Sequence, residues 1–140
     1  MSARILITGA AGTIGTMLRP RIARPGRILR LLDIAPIPGA EPEERVEIIA
    51  ADITDLDVMQ HASQDVNAVI HLGGIPHESD WPRILHTNIH GTYTVLGAAR
   101  RAGAPRAILA SSNHAVGFHT YSEGLAGLPV SSAGHLLRGK

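Results

Sequence analysis

The 140-residue sequence contains no cysteine, which excludes disulfides and thiolate chemistry and suits a reducing cytoplasm. No apolar run is long enough to cross a membrane and no stretch is of low complexity, so membrane-spanning and disordered classes are set aside. Met1-Ser2-Ala3 leads directly into an apolar stretch, without the layout of a signal peptide. Charge of one sign is also in short supply. The formal net charge of +1 gives no reason to expect nucleic acid or a membrane as partner. Lysine is nearly missing, with Lys140 alone among 13 basic residues, and there are 2 tyrosines, Tyr93 and Tyr121. What remains is globular in composition, 44% hydrophobic and 18% charged, and of a length that suits one domain with a real core.

The strongest local signal lies at the start. Arg4-Ile5-Leu6-Ile7-Thr8 is an apolar run leading into Gly9-Ala10-Ala11-Gly12-Thr13-Ile14-Gly15. This reads as a strand entering a glycine-rich turn. Gly9 and Gly12 remove side chains that would hold a pyrophosphate off the backbone, and Gly15 lets the following helix pack close to the sheet. The helix N-terminus offers unpaired N–H groups and the positive end of its dipole to phosphates. Three glycines alone often mark only a tight turn; their place between a strand and an amphipathic segment is what gives them weight.

Further along, Thr13 to Ala23 has helical spacing, with Ile14, Met17, Leu18 and Ile22 as one buried face and Pro25-Gly26 as its end. Arg19, Arg21, Arg24, Arg27 and Arg30 cluster here; a solvated helix end explains them better than a phosphate-binding patch. Arg27 to Asp33 is the next strand, and Asp33 stands where a dinucleotide fold uses an acid to hold the adenosine ribose hydroxyls and repel a 2′-phosphate, favouring NAD over NADP. The segment from Ile37 to Arg45 is an exposed loop, and Val46 to Ala50 a short strand. Asp52 follows it, placed either to meet an adenine amino group or to cap, with Thr54 or Asp55 capping a helix to about Ala62. A fourth strand, Asn67 to Leu72, opens into Gly73-Gly74-Ile75-Pro76, a second place where backbone can lie against a ligand. Trp81 to Ala102 reads as one long helix that buries Ile84, Leu85, Ile89, Val95, Leu96 and Ala99 and stops at Gly103. His86 and His90 have a spacing that can bind zinc, but no third ligand is evident and no metal is expected. Asn88 is placed to bridge to nearby backbone. The fifth strand, Arg106 to Ser111, delivers Ser111, Ser112, Asn113 and His114 to the mouth of the presumed cleft.

Strands alternating with helices in this order predict an α/β fold, a Rossmann-type doubly wound parallel sheet of about five strands, incomplete on its C-terminal side. Together the motifs resemble the extended short-chain dehydrogenase/reductase superfamily, the NAD-dependent epimerase/dehydratase group. The general match rests on Gly9-x-x-Gly12-x-x-Gly15, Asp33, Asp52-Ile53 and Asn88-Ile89-x-Gly91-Thr92. His71-Leu72-Gly73-Gly74-Ile75 and Ala110-Ser111-Ser112-Asn113-His114-x-x-Gly117 narrow it to the uronate dehydrogenases. The resemblance runs from residue 4 to about residue 118, giving an NAD-binding domain over 1–118 and an irregular tail over 119–140. It implies NAD contacts from the glycine turn with Thr13 and Ile14, from Asp33, Asp52 and Ile53, and from Leu72, Gly73, Gly74, Ile75 and Pro76. It also implies that Ser112, Asn113 and His114 touch a uronic acid, galacturonate or glucuronate, which is oxidised at C1 to an aldarolactone. Pro76 replaces an expected substrate-binding serine. The resemblance further implies a cytoplasmic enzyme, homo-oligomeric at full length.

The chemistry needs a base. In this superfamily a Tyr takes the hydroxyl proton and a Lys, in Tyr-x-x-x-Lys, lowers its pKa. Neither Tyr93 nor Tyr121 has that Lys, and Leu137 stands where the Tyr is expected, leaving Ser112 as the retained catalytic residue. Reading possible codons for Gly134 to Lys140 one base later permits Asp-Thr-Tyr-Tyr-Gly-Val-Ser, close to the expected segment. The tail therefore reads as frameshift-derived, and the arginine excess suits the GC-rich codons this requires. An inactive chain with an uncovered fifth strand is the expectation. The alternatives are a nucleotide-sugar epimerase or dehydratase, and a non-catalytic NAD-binding or interaction protein.

Overall fold

The computed structural model describes residues 2–112. The chain forms two units, Met1–Leu109 and Ala110–Lys140, and every element below belongs to the first. The order is β1 (Ala3–Thr8), α1 (Thr13–Ile22), β2 (Arg27–Asp33), β3 (Val46–Ala50), α2 (Leu56–Ala62) and β4 (Ala68–His71). A continuous helical stretch follows, made of α3 (Trp81–Ile84), a π-helical turn (Leu85–His90) and α4 (Gly91–Arg101), and then β5 (Ala107–Leu109).

All pairings are parallel and the order across the sheet is β3-β2-β1-β4-β5. The winding therefore reverses between β1 and β4, which defines a Rossmann-type doubly wound sheet with its switch point beside the glycine turn. Register aligns the carboxyl ends: Thr8 lies opposite Leu32 and His71, Asp33 opposite Ala50, and His71 opposite Leu109.

The central strands are apolar on both faces because both are covered. On one face Leu6, Leu32 and Val69 pack with Ile53, Met59 and Ala62 and with Val95, Ala98 and Ala99 of α4. On the other, Ile7, Leu29 and Leu31 pack with Ala10 and with Ile22 and Ala23. The three residues of β5 are exposed, Ile108 by 52% and Leu109 by 48%, so this edge has much of its apolar surface open.

Asp55 caps α2 by accepting from the Val58 N–H at 3.1 Å. Gly103 ends the long helix with φ +73°, a left-handed cap. Two expected buried faces differ from the structure. In α1, Ile14 and Met17 are each 56% exposed; Ile14 lines the cleft described below. In the long helix, Leu85 and Ile89 are exposed, and the buried stripe runs instead through Gly91, Thr94, Val95, Ala98 and Ala99. Val95 and Ala99 are the expected positions in it; hydropathy misses Gly91, Thr94 and Ala98 because each is small or hydroxylated. Gly91 belongs to it for a steric reason: a Cβ there would lie 2.7 Å from Ile53 Cδ1.

The arginine cluster is a solvated helix end only in part: Arg21 and Arg24 are exposed, whereas Arg19 and Arg30 are held in ion pairs. Arg19 is buried against Glu44, Nη2 to Oε2 at 2.7 Å, and donates to the Pro38 carbonyl, pinning the loop before β3 onto α1. Arg30 pairs with Glu47 at 2.6 Å, and Arg4 with the same carboxylate at 3.1 Å. Arg30 also donates to the Ala62 and Gln64 carbonyls and so ties the end of α2 to the sheet. The hydrogen bond from Arg19 is the largest influence on Glu44 and holds its carboxyl below the ordinary range. Burial alone would raise Glu47, but Arg30 and Arg4 outweigh it and lower the group.

Candidate functional site

A cleft of about 640 Å³ opens along the carboxyl ends of β1 to β4, a size typical of small-molecule and cofactor sites. Its floor is the glycine turn. Gly9 has φ +70°, and a Cβ there would lie 2.6 Å from the Gly73 nitrogen, so the two glycine-rich turns are packed backbone against backbone. Gly15 has the same constraint from the other side, with its Cβ position 2.6 Å from the Gly9 and Ala10 carbonyl oxygens. Gly12 occupies the N-cap of α1 and makes no side-chain cap. The first-turn N–H groups of α1 therefore border the cleft without a capping side chain, which is an anion-receptive arrangement.

Asp33 reaches back over this floor. Its Oδ2 accepts from the Ala11 N–H at 2.9 Å and its Oδ1 from the Ala35 N–H at 2.9 Å. The carboxylate thus holds the glycine turn as well as facing the cleft. Asp52 also lines the cleft, and its Oδ1 accepts from both the N–H and the hydroxyl of Thr54 at 2.9 Å. Thr13, Ile14, Ile53, Leu72, Gly73, Gly74, Ile75 and Pro76 all line the same space. The cofactor positions read from sequence in the first unit are thereby gathered at one cleft.

Beneath the second glycine pair lies a buried polar relay. The Gly73 N–H donates to Thr8 Oγ1 at 3.4 Å; Thr8 Oγ1 is 2.6 Å from His71 Nδ1, and His71 Nε2 is 3.0 Å from Thr92 Oγ1. A neutral imidazole donates from one nitrogen only. Either tautomer leaves one threonine hydroxyl hydrogen outside the relay; Thr8 is fully buried and Thr92 only partly, so the order that strands no buried hydrogen is Thr8 Oγ1–H to Nδ1 and Nε2–H to Thr92. Burial pushes His71 below its ordinary pKa, which favours that neutral ring. Asn88, in the π-helical turn, clamps the same loop: its Oδ1 accepts from the Ile75 N–H at 2.7 Å and its Nδ2 donates to the Ile75 carbonyl at 3.0 Å.

Beyond the apolar Ala11, Ile34, Ala35 and Ala51, sequence reasoning missed two polar lining residues, Arg83 and Thr87. They are one helical turn apart, and that spacing on one face of a helix is the signal that could have found them. Ser112 belongs to the second unit, and Asn113 and His114 lie outside the described residues, as do Tyr121 and Leu137. Among the described residues no group of His, Cys, Asp and Glu could hold a metal ion. The His86 and His90 rings stack, with centroids 5.7 Å apart. No helix of the described residues is long and apolar enough to cross a membrane.

A parallel sheet wound in both directions, with a glycine turn at its switch point and an acid at the end of β2, defines the class of dinucleotide-binding α/β proteins. A family model for the NAD dependent epimerase/dehydratase family matches residues 5–131, extending past residue 118. The chain belongs to that family. It is 43% identical over 121 residues to the uronate dehydrogenase of Pseudomonas putida, covering 86% of this chain and 44% of that protein. Against the uronate dehydrogenase of Agrobacterium fabrum it is 40% identical over 122 residues, covering 87% and 45%. A crystal structure of a mutant uronate dehydrogenase from Agrobacterium tumefaciens complexed with NAD superposes with a TM-score of 0.76 at 39% identity, covering 85% of this chain and 44% of that one. The chain thus spans less than half the length of the relatives it matches.

Proposed function

We propose that this chain is the cofactor-binding part of an NAD-dependent oxidoreductase that oxidises a uronic acid, galacturonate or glucuronate, at C1 to the aldarolactone. The observation that carries the reading is the cleft floor: glycines packed too closely for side chains, uncapped N–H groups of α1 and the Asp33 carboxylate, all on one rim of the sheet. These groups fit a dinucleotide. The α1 terminus and the backbone from Gly12 to Gly15 suit its pyrophosphate, Asp33 an adenosine ribose, and Asp52 with Ile53 an adenine. The segment from Leu72 to Pro76 is assigned to the nicotinamide half. Bound NAD supplies the hydride acceptor for C1. Ser112, Asn113 and His114 are assigned to the sugar acid, by similarity to uronate dehydrogenases.

No tyrosine of this sequence is followed four residues later by lysine, so nothing of that kind removes the C1 hydroxyl proton. We therefore assign this chain NAD binding without turnover. Residues 1–118 form the binding domain in this reading; the family match runs on to residue 131, so the frameshift-derived part of the 119–140 tail starts after it. Codons that cannot encode Tyr-Tyr in the second frame would contradict the tail's origin.

Calorimetric titration with NAD, run beside a galacturonate and glucuronate oxidation assay, tests the function. Saturable NAD binding with no NADH formation is expected. Turnover would contradict the missing base, and absence of binding would contradict the cleft.

A further inference from the structure

Among the described residues the cleft is short of positive charge: its acidic and basic lining side chains are Asp33, Asp52 and Arg83. A dinucleotide adds two negative phosphates to that balance. The α1 dipole and the backbone N–H groups of the glycine turn meet them from one side only.

Arg83 stands on α3, a different wall of the cleft, with Thr87 one turn further along the same helical stretch. Its present partner holds it loosely: Nε lies 4.0 Å from Asp80 Oδ1, and the two side chains are 66% and 59% exposed. By contrast Arg19 and Arg30 are committed to carboxylates at 2.7 and 2.6 Å and are mostly buried. Arg83 is thus a cleft-lining cation whose tether is weak enough to exchange for a better anion. A guanidinium fork suits two phosphate oxygens.

We propose that Arg83 is a pyrophosphate-binding residue, closing on the dinucleotide's phosphates from the α3 side of the cleft. Thr87 supplies a hydroxyl on the same side. This assignment rests on the NAD-binding reading above and adds a specific contact to it. It also accounts for binding to a cleft that carries two acids: Arg83 offsets one of them before the ligand arrives.

The test compares the wild-type chain with Arg83→Gln and Arg83→Lys, titrated with NAD, ADP-ribose and adenosine at low and high salt. In Arg83→Gln, ADP-ribose and NAD are expected to bind about tenfold more weakly, with a flatter salt dependence, and adenosine is expected to bind unchanged. Arg83→Lys should recover part of the loss because it restores a charge without the fork. Equal weakening of adenosine and ADP-ribose would overturn the proposal in favour of stacking on the base. Unchanged ADP-ribose binding in Arg83→Gln would overturn it while leaving the NAD reading intact. A wild-type chain that binds neither NAD nor ADP-ribose would overturn both. Arg83 is mostly exposed, so circular dichroism should show all three proteins equally folded.

Discussion

The two ends of this sheet are built from different chemistry. At the amino end, ion pairs hold the strands and their loops: Arg4 and Arg30 on Glu47, and Arg19 on Glu44 in the loop entering β3. At the carboxyl end, the work is done by close backbone contact and neutral hydrogen bonds, Gly9 against Gly73, His71 between two threonines, and Asn88 on Ile75. The difference has a functional logic. An end that must receive an anionic ligand is served by open donors and missing side chains, whereas the opposite end is free to satisfy its charges internally.

Substitutions at four positions, together with acidification, test this contrast. The largest effect is expected from Gly9→Ala. It combines a left-handed φ with a Cβ inside contact distance of Gly73 backbone, so a loss of at least about 3 kcal/mol is expected, together with loss of NAD binding. Thermal denaturation and calorimetry would read the two effects. Next, Glu44→Gln leaves the mostly buried Arg19 without its counter-charge and should cost about 2 kcal/mol. If the two ends are separable, the folded fraction of Glu44→Gln binds NAD with the wild-type affinity.

Acidification should undo the ends in sequence. The folded-state pKa of His71 lies below its ordinary 6.5, so its contribution is full above 6.5 and declines as the pH falls below it. Glu44 and Glu47 are lowered from 4.5, so their contribution is full above 4.5 and is lost as the pH falls through their depressed values. Thermal midpoints measured from pH 8 downwards should therefore fall in two stages, and His71→Gln should remove the upper one. A single stage below 4.5 would mean that the relay under Gly73 adds little.

The smallest effect on stability is expected from Asp33→Asn. Its Ala11 and Ala35 contacts lose charge and one acceptor, worth about 1 kcal/mol, yet the preference for NAD over NADP should narrow because the repulsion of a 2′-phosphate is gone. Because the same carboxylate holds the glycine turn, Asp33→Ala should weaken both cofactors.

Much of this was legible in the residues. The β2 and β3 strands could be read to their ends because each is a short segment rich in Ile, Leu and Val, bounded by turn residues. The glycine turn and the acid at Asp33 were legible because spacing along one βαβ unit fixes them. The inner face of the long helix was legible only at Val95 and Ala99. Its contact stripe passes through Gly91 and Thr94, chosen for close approach rather than hydropathy, and the π-helical turn at Leu85–His90 is set by tertiary partners such as Ile75 on Asn88. The fate of Arg19 and Arg30 was hidden for the same reason, since Glu44 and Glu47 lie 25 and 17 residues away in the chain. Arg83 escaped notice because a single cation carries no motif.

The most direct test of the central claim is titration of the purified chain with NAD while NADH formation is followed with galacturonate present. The account predicts saturable binding, weaker for NADP, with no NADH. Turnover at any appreciable rate, or no binding at millimolar NAD, would contradict it.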